Sequence, residues 1–160
     1  RFVESGVKSN ERVAYFTDAD PALVSTWLAE RGVDLPTAPQ FTVSSAKSVY
    51  FPHGEFRVEP MFAFWRAFQA EAEALGFAGA RGTGETTWSR EVPGGERIVE
   101  YEAKLNDLLV DLPVTALCQY DVNRFDGGTI LDILRVHPLM LVAGQVVANP
   151  YYVGSGRVLE

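Results

Sequence analysis

The 160-residue chain, with 47% hydrophobic and 22% charged residues, has the size and composition of one globular domain. Its net charge of −7 and its scattered basic residues exclude a nucleic-acid-binding surface, which needs clustered Lys and Arg. No apolar run reaches the roughly 18 residues of a membrane span, and the single cysteine favours a reducing, cytoplasmic location.

Helical and strand patterns alternate along the chain. The predicted helices cover residues 2–10, 20–31, 59–75, 96–111 and 129–136. The predicted strands cover residues 12–17, 40–44, 48–51, 77–83, 114–120, 139–142 and 145–148. The second and third of these strands could equally be one interrupted strand, and 114–120 is expected to be the central buried strand. The alternation predicts an α/β fold with a mostly parallel sheet and helices on both faces, in three layers.

Individual residues predict where some helices end and which faces they bury. Gly6 and Asn10 are candidate terminators of the first helix. In the second helix, Leu23, Trp27 and Leu28 share one face, which we expect to pack on the sheet. The first six residues are typical of the middle of a helix. We therefore expect residues 1–160 to be one domain of a longer signalling protein, without its first strand.

The segment Gly82-Thr83-Gly84 invites comparison with a phosphate-binding loop. A P-loop requires GxxxxGK[ST], but here Glu85 follows the glycines and no lysine is present. An acid beside the glycines would repel phosphate. We therefore favour a tight turn that exposes Arg81 and Glu85 over a nucleotide site.

Cys118, Asp121 and His137 could form a set of thiol, base and orienting group. However, Cys118 lies within an apolar strand, where alternation places Cys118 and Tyr120 on the opposite face from Asp121. The two histidines and the cysteine lack metal-binding spacing, so we expect no metal site. A structural role for His137 at the end of a helix is favoured.

Polar residues also follow several of the predicted strands. They are Thr17, Asp18, Arg81, Glu85, Gln119, Tyr120 and Asp121. If the strands are parallel, these residues share one sheet edge, where open α/β folds bind ligands. Trp88 and Tyr101 would supply apolar walls for a small ligand. Alternatively, Arg81 pairs with an acid and only holds loops in place.

Five segments carry a resemblance to a known family. They are FVESGVKSNERVAYFT, GFAGARGTGETTW, YEAKLNDL, ALCQYDVNRFDGG and RVHPLMLVAGQVVANPYYV. In this order they resemble the MEDS domain, a sensory domain of methanogen and methylotroph regulators that is itself similar to RecA- and KaiC-type α/β domains. The pairing of His137-Pro138 with Asn149-Pro150-Tyr151-Tyr152 is the most specific part of the resemblance.

The resemblance implies a sensory input domain without catalytic activity or cofactor. Its ligand would be a small organic molecule, such as a simple hydrocarbon derivative. An attached histidine kinase, anti-sigma-type kinase or DNA-binding domain would receive the signal, and a homodimer is compatible with the fold. The expected ligand-contacting residues are Arg81, Glu85, Trp88, Tyr101, Cys118, Tyr120, Asp121 and His137.

Two other functions remain open at this stage. The first is a protein–protein interaction domain that regulates a partner kinase or sigma-type factor through its acidic surface. An exposed apolar patch without an enclosed cavity would favour it. The second is a degenerate KaiC-like nucleotide-binding domain, because the opening segment resembles the region that follows the P-loop in those ATPases.

Overall fold

A computed structural model describes residues 1–154 and 156. Its helices are α1 Phe2–Lys8, α2 Pro21–Glu30, α3 Ala46–Tyr50, α4 Val58–Ala74, α5 Ile98–Leu109 and α6 Gly127–Val136. Its strands are β1 Glu11–Thr17, β2 Phe41–Ser45, β3 Gly79–Glu85, β4 Val114–Gln119, β5 Leu139–Val142 and β6 Gln145–Ala148. Two short 3-10 helices, Thr87–Arg90 and Gly95–Arg97, connect β3 to α5.

The main sheet contains four parallel strands in the order β2-β1-β3-β4. The predicted strands 139–142 and 145–148 are present as β5 and β6, and they form a separate antiparallel hairpin. The prediction that 114–120 is the central strand is wrong, because β4 lies at the edge of the sheet and β1 and β3 occupy the centre. Accordingly, the side chains of β4 are partly exposed, and Thr115 is the most exposed of them.

Side-chain alternation along β1 divides the core into two layers. Ala14 and Phe16 pack in the larger layer, which α4 and α5 cover with residues such as Trp65. Val13 points to the other face, where it packs against Val3 of α1. Helix α2 packs beside β2 at this second face. The three-layer α/β prediction is therefore confirmed, while a specifically RecA- or KaiC-like topology stays a prediction.

Two local predictions are wrong for identifiable reasons. Residues 48–50 of the segment predicted as a strand at 48–51 instead belong to helix α3. Ser45 caps this helix, because its hydroxyl accepts a hydrogen bond from Ser48 N at 3.2 Å. In α2 the buried residue is Val24, while Leu23 and Trp27 remain 49% and 47% exposed.

The backbone conformation explains two further positions. Gly6 does not end α1; it lies inside the helix, where a Cβ atom would approach Val13 Cγ2 to 2.8 Å. Asn10 does follow the helix, with a φ of 55°. In the hairpin, Ala143 and Gly144 have φ values of 49° and 81°, which is typical of a two-residue turn. None of the helices described here has the length and hydrophobicity that crossing a membrane requires.

Candidate functional site

The carboxyl ends of the four parallel strands open into a cleft of about 750 Å³, which we call the carboxyl-edge cleft. Four residues expected to contact a ligand line it: Glu85, Trp88, Tyr120 and Asp121. Thr17, Asp18 and Gln119, also expected at this edge, line it as well. The parallel register brings these residues together, because it places Thr17 beside Ser45 and Glu85 beside Gln119.

Glu85 is the most strongly hydrogen-bonded side chain of the cleft. Its Oε1 accepts from the Tyr15 hydroxyl at 3.0 Å, and its Oε2 accepts from the Thr17 hydroxyl at 2.9 Å and from Asp18 N at 2.7 Å. Three donors therefore hold this carboxylate in one orientation. Burial, together with the negative charge of Glu85, raises the pKa of the neighbouring Asp18 carboxyl above its usual value.

Trp88 forms the apolar wall of the cleft. Its indole N–H donates to the Glu85 backbone carbonyl at 3.0 Å, and its ring stacks on Tyr50 at a centroid distance of 4.9 Å. Phe51 lies 5.2 Å from the same ring and also lines the cleft. Because Trp88 is only 5% exposed, its packing against these rings fixes the shape of the wall.

Arg81 lies away from the carboxyl-edge cleft. Its Nε donates to Glu11 Oε2 at 2.6 Å, and its guanidinium stands 4.8 Å from the centre of the Phe2 ring beneath α1. Arg81 therefore pairs with an acid, Glu11, as in the alternative interpretation of this residue. The expected turn is also wrong, because Gly82-Thr83-Gly84 lies inside β3.

Tyr101 is part of the core rather than a cleft wall. It is 2% exposed, and its hydroxyl accepts a hydrogen bond from Trp65 Nε1 at 2.8 Å. Burial raises the pKa of Tyr101 well above its usual value. Phe56 packs edge-on against its ring and Phe62 stacks on it, and Tyr101 does not line the cleft.

A second polar cluster surrounds Glu102, a buried acid of α5. Its Oε2 accepts from Cys118 Sγ at 3.1 Å and lies 3.6 Å from His137 Nε2, while its Oε1 accepts from the Tyr120 hydroxyl at 2.6 Å. Cys118 and Tyr120 do share one strand face, as predicted, but Asp121 is not part of this cluster. The structure thus brings Cys118 and His137 together around an acid that was not among the expected contacts.

The electrostatics of this cluster depend on the single buried carboxylate. Burial by itself would raise the pKa of Glu102, but hydrogen bonds from His137, Tyr120 and Cys118 outweigh it and hold the pKa below its usual value. Burial would lower the pKa of His137, but the Glu102 carboxylate raises it above its usual value. Burial and the Glu102 charge raise the pKa of the Cys118 thiol well above its usual value.

The segments His137-Pro138 and Asn149-Pro150-Tyr151-Tyr152 meet at the end of α6, where hydrogen bonds fix the position of His137. His137 Nδ1 lies 2.7 Å from the Ile133 carbonyl oxygen, one helical turn earlier. The side-chain amide of Asn149 donates to the carbonyls of Leu134 and His137 at 2.6 and 2.7 Å. Asn149 thereby ties the hairpin to the carboxyl end of the helix. The predicted structural position of His137 at a helix end is confirmed.

Cys118 and His137 line a second cavity of about 380 Å³, which we call the β4 groove. Its other walls are mainly apolar and come from β4, α6 and β5. Among them are Leu117, Ile130, Ile133, Leu134, Leu139 and Met140. Tyr120 lines both this groove and the carboxyl-edge cleft, so that one side chain separates the two cavities.

Comparison with known proteins gives one match. The family model described as "MEDS: MEthanogen/methylotroph, DcmR Sensory domain" matches residues 1–138, which include the carboxyl-edge cleft and the Glu102 cluster. Searches of curated proteins and of solved structures find no match. The motif Asn149-Pro150-Tyr151-Tyr152 lies beyond the matched residues. Since the family model covers most of the chain, the resemblance predicted from the sequence is confirmed over residues 1–138: this protein belongs to the MEDS family of sensory domains.

Proposed function

We propose that this domain is the input domain of a signal-transduction protein and binds a small organic molecule in the carboxyl-edge cleft. The observation that carries the proposal is the convergence of Glu85, Trp88, Tyr120 and Asp121 on one cavity, in a chain that belongs to a sensory family. An open α/β sheet commonly binds its ligand at this edge. The domain itself catalyses no reaction, and its cytoplasmic location stays a prediction.

The lining of the cleft favours one chemical class of ligand. Four acidic side chains and two basic ones face the cavity: Asp18, Glu85, Glu91 and Asp121 against Lys47 and Arg124. Carboxylates accept hydrogen bonds, whereas phosphate and carboxylate ligands would be repelled by this excess of negative charge. A short alcohol or amine, with its hydrocarbon part against Trp88, is the derivative that the cleft fits best.

Binding would act on a two-state element near the cleft. The 3-10 segment that begins at Thr87 and the segment 123–128, which leads into α6, both border the cavity or adjoin its lining residues. A ligand that contacts one arrangement of these segments better would shift the population toward it. We propose that an attached histidine kinase or DNA-binding domain reads this shift.

A thermal-shift screen with short alcohols, amines, ketones, halomethanes, acids and nucleotides tests the proposal. A ligand at one hundred times its dissociation constant should stabilise the domain by about 2.7 kcal/mol, which is several degrees at this size. Asp18→Asn should abolish most of that shift, because it removes a carboxylate from the cleft. The matched control is Asp107→Asn, at an exposed position on α5 outside the cleft.

The screen also separates the competing functions. Stabilisation by an alcohol or amine, retained in Asp107→Asn and lost in Asp18→Asn, supports the proposal. Stabilisation by nucleotides alone would replace it with a KaiC-like nucleotide-binding function. If no small organic molecule stabilises the protein, or if both variants respond as the unmodified chain does, the cleft is not the ligand site.

A second function, protein–protein interaction, is favoured by one observation. The hairpin exposes several large apolar side chains, among them Leu139, Leu141, Val142 and Val146, at 58%, 49%, 51% and 69%, and the first three also border the β4 groove. Such a cluster is typical of a surface that another protein covers. This function does not exclude ligand sensing, because the hairpin lies outside the carboxyl-edge cleft.

A further inference from the structure

Three side chains of different types bring potential metal-binding atoms close together beside β4. Glu102 Oε2, Cys118 Sγ and His137 Nε2 all lie within 4.8 Å of one another. They come from three different elements, since Glu102 belongs to α5, Cys118 to β4, and His137 ends α6. Their spacing in the sequence matches no metal-binding motif, so only the fold brings them together.

Two of the three distances between these atoms are close to those of a tetrahedral zinc site, and the third, between Cys118 Sγ and His137 Nε2, is within 4.8 Å. Cys118 Sγ lies 3.1 Å from Glu102 Oε2, which in turn lies 3.6 Å from His137 Nε2. Metal–ligand bonds of about 2.0–2.3 Å at tetrahedral angles place ligand atoms roughly 3.3–3.6 Å apart. A small side-chain adjustment therefore suffices to coordinate a metal ion.

Glu102 and His137 are also oriented by neighbours outside the cluster of three, as ligands in metal sites usually are. The 2.7 Å contact between His137 Nδ1 and the Ile133 carbonyl requires a proton on Nδ1, which directs Nε2 toward the cluster. The Tyr120 hydroxyl occupies Glu102 Oε1 and leaves Oε2 for the metal. Asn149 fixes the backbone carbonyl of His137.

The charge and the accessibility of these three side chains also suit a divalent metal ion. A carboxylate, a thiolate and a neutral imidazole carry a total charge of −2, which neutralises a divalent cation in a buried place. Glu102 is 3% exposed, while the side chain of His137 is 26% exposed and gives a path for entry. Binding releases the thiol proton of Cys118 to solvent and any second proton on His137.

We propose that Glu102, Cys118 and His137 bind one divalent metal ion of intermediate softness, for which Zn²⁺ is the best match. A thiolate and an imidazole select against Mg²⁺ and Ca²⁺, which require oxygen ligands. With three protein ligands, a tetrahedral ion keeps a fourth position, and the adjoining β4 groove gives this position a mainly apolar surrounding. The site lies apart from the carboxyl-edge cleft and does not depend on the function proposed for that cleft.

Titration of the untagged, metal-free 160-residue chain with Co²⁺ tests the site. Co²⁺ replaces Zn²⁺ in tetrahedral sites and gives a thiolate-to-metal charge-transfer band in the near ultraviolet. Cys118 is the chain's only cysteine, so the band can be assigned without any variant. We expect it to saturate at one Co²⁺ per chain and to disappear when Zn²⁺ is added.

Variants then identify the other ligands. Cys118→Ser should abolish the band, while Glu102→Gln and His137→Gln should each weaken Co²⁺ binding at least tenfold. The matched control is His53→Gln, which removes the chain's other histidine at an exposed position and should leave binding unchanged.

The absence of a charge-transfer band in the unmodified chain would overturn the proposal, even if a variant fails to fold. In that case Glu102 and His137 form only an ion pair, and Cys118 only donates a hydrogen bond to Glu102. Equal affinity in His137→Gln and the unmodified chain, with circular dichroism showing both folded, would also overturn it. The proposal would also be overturned if His53→Gln weakened Co²⁺ binding as much as His137→Gln does.

Discussion

Arg81 illustrates how a charged residue acts as a structural support in this protein. Its guanidinium bonds Glu11 on β1 and the Phe2 carbonyl of α1, and it also packs against the Phe2 ring. The side chains of Arg81 and Glu11 are only 15% and 19% exposed. Removing one partner would leave the other charge in a place with little water, which is far more costly than loss of a surface pair.

Arg81→Ala should therefore destabilise the protein by about 1–3 kcal/mol, because Glu11 loses its partner and α1 loses its contact with β3. Chemical denaturation measures the change. The matched control is Arg57→Ala, which removes an exposed pair with Glu55 and should cost no more than about 0.5 kcal/mol. If Arg81→Ala were as stable as Arg57→Ala but lost ligand binding, Arg81 would be a ligand contact after all.

At the level of single residues, the sequence predicted several lining residues of the carboxyl-edge cleft. It predicted only part of the Glu102 cluster. The β-strand period placed Cys118 and Tyr120 on one face, and the structure confirms this. Glu102 was missed, although it follows Ile98 by one helical turn on the inward face of α5. An acid on a face that otherwise buries Ile98, Tyr101 and Leu105 is a signal that could have identified it.

At the scale of elements, helix α4 rests directly on the backbone of β3. The two inward positions at the end of this strand are Gly82 and Gly84, which leave room for Trp65 and Tyr50. A Cβ atom at Gly82 would lie 2.5 Å from Trp65 Cη2, and one at Gly84 would lie 2.6 Å from the Tyr50 hydroxyl oxygen. The glycines therefore serve close packing of large aromatic rings rather than phosphate binding.

Gly82→Ala should destabilise the protein by about 1–3 kcal/mol, because the added methyl group overpacks a core that has no space for it. The control is Gly127→Ala at the start of α6, where a Cβ atom meets nothing within 4 Å. That change should be neutral or stabilise the protein by up to about 1 kcal/mol. Equal denaturation midpoints for the two variants would show that Trp65 can move aside.

The elements most easily predicted were those with a long, regular period. Helix α4 buries Met61, Trp65, Phe68 and Ala72, and this spacing alone defines its inward face. Helix α3 was predicted as a strand because its residues Val49 and Tyr50 favour strands, while the deciding feature is a single hydroxyl of Ser45. The edge position of β4 depends on strand order, which no local pattern encodes.

At the scale of the whole molecule, the β5–β6 hairpin carries a cluster of exposed apolar side chains. Leu141 and Val146 lie directly opposite each other across the hairpin and are 49% and 69% exposed, and Leu141 also borders the β4 groove. Met140 and Val147, on the other side of the hairpin, are partly buried. One face of the hairpin therefore packs on the domain, and the other is free for a second chain.

We expect the protein to self-associate through this outer face at high concentration, which sedimentation velocity measures as an increase in mass. The double variant Leu141→Lys with Val146→Lys should remain monomeric, because two charges would be buried in the contact. Val110→Lys is the control, since Val110 is 78% exposed at the end of α5 and lies outside the hairpin. A monomer at every concentration, or association of the double variant, would contradict the prediction.

Because Trp88 lines the carboxyl-edge cleft, its fluorescence can report on binding in the cleft. The chain has three tryptophans: Trp27 is 47% exposed, whereas Trp65 and Trp88 are 2% and 5% exposed. Of these, Trp88 alone lines the cleft, and Trp65, on the inward face of α4, is enclosed in the core. Replacing Trp27 by Phe would remove the solvent-exposed emitter. Intrinsic fluorescence would then follow the entry of an unlabelled molecule into the cleft in real time.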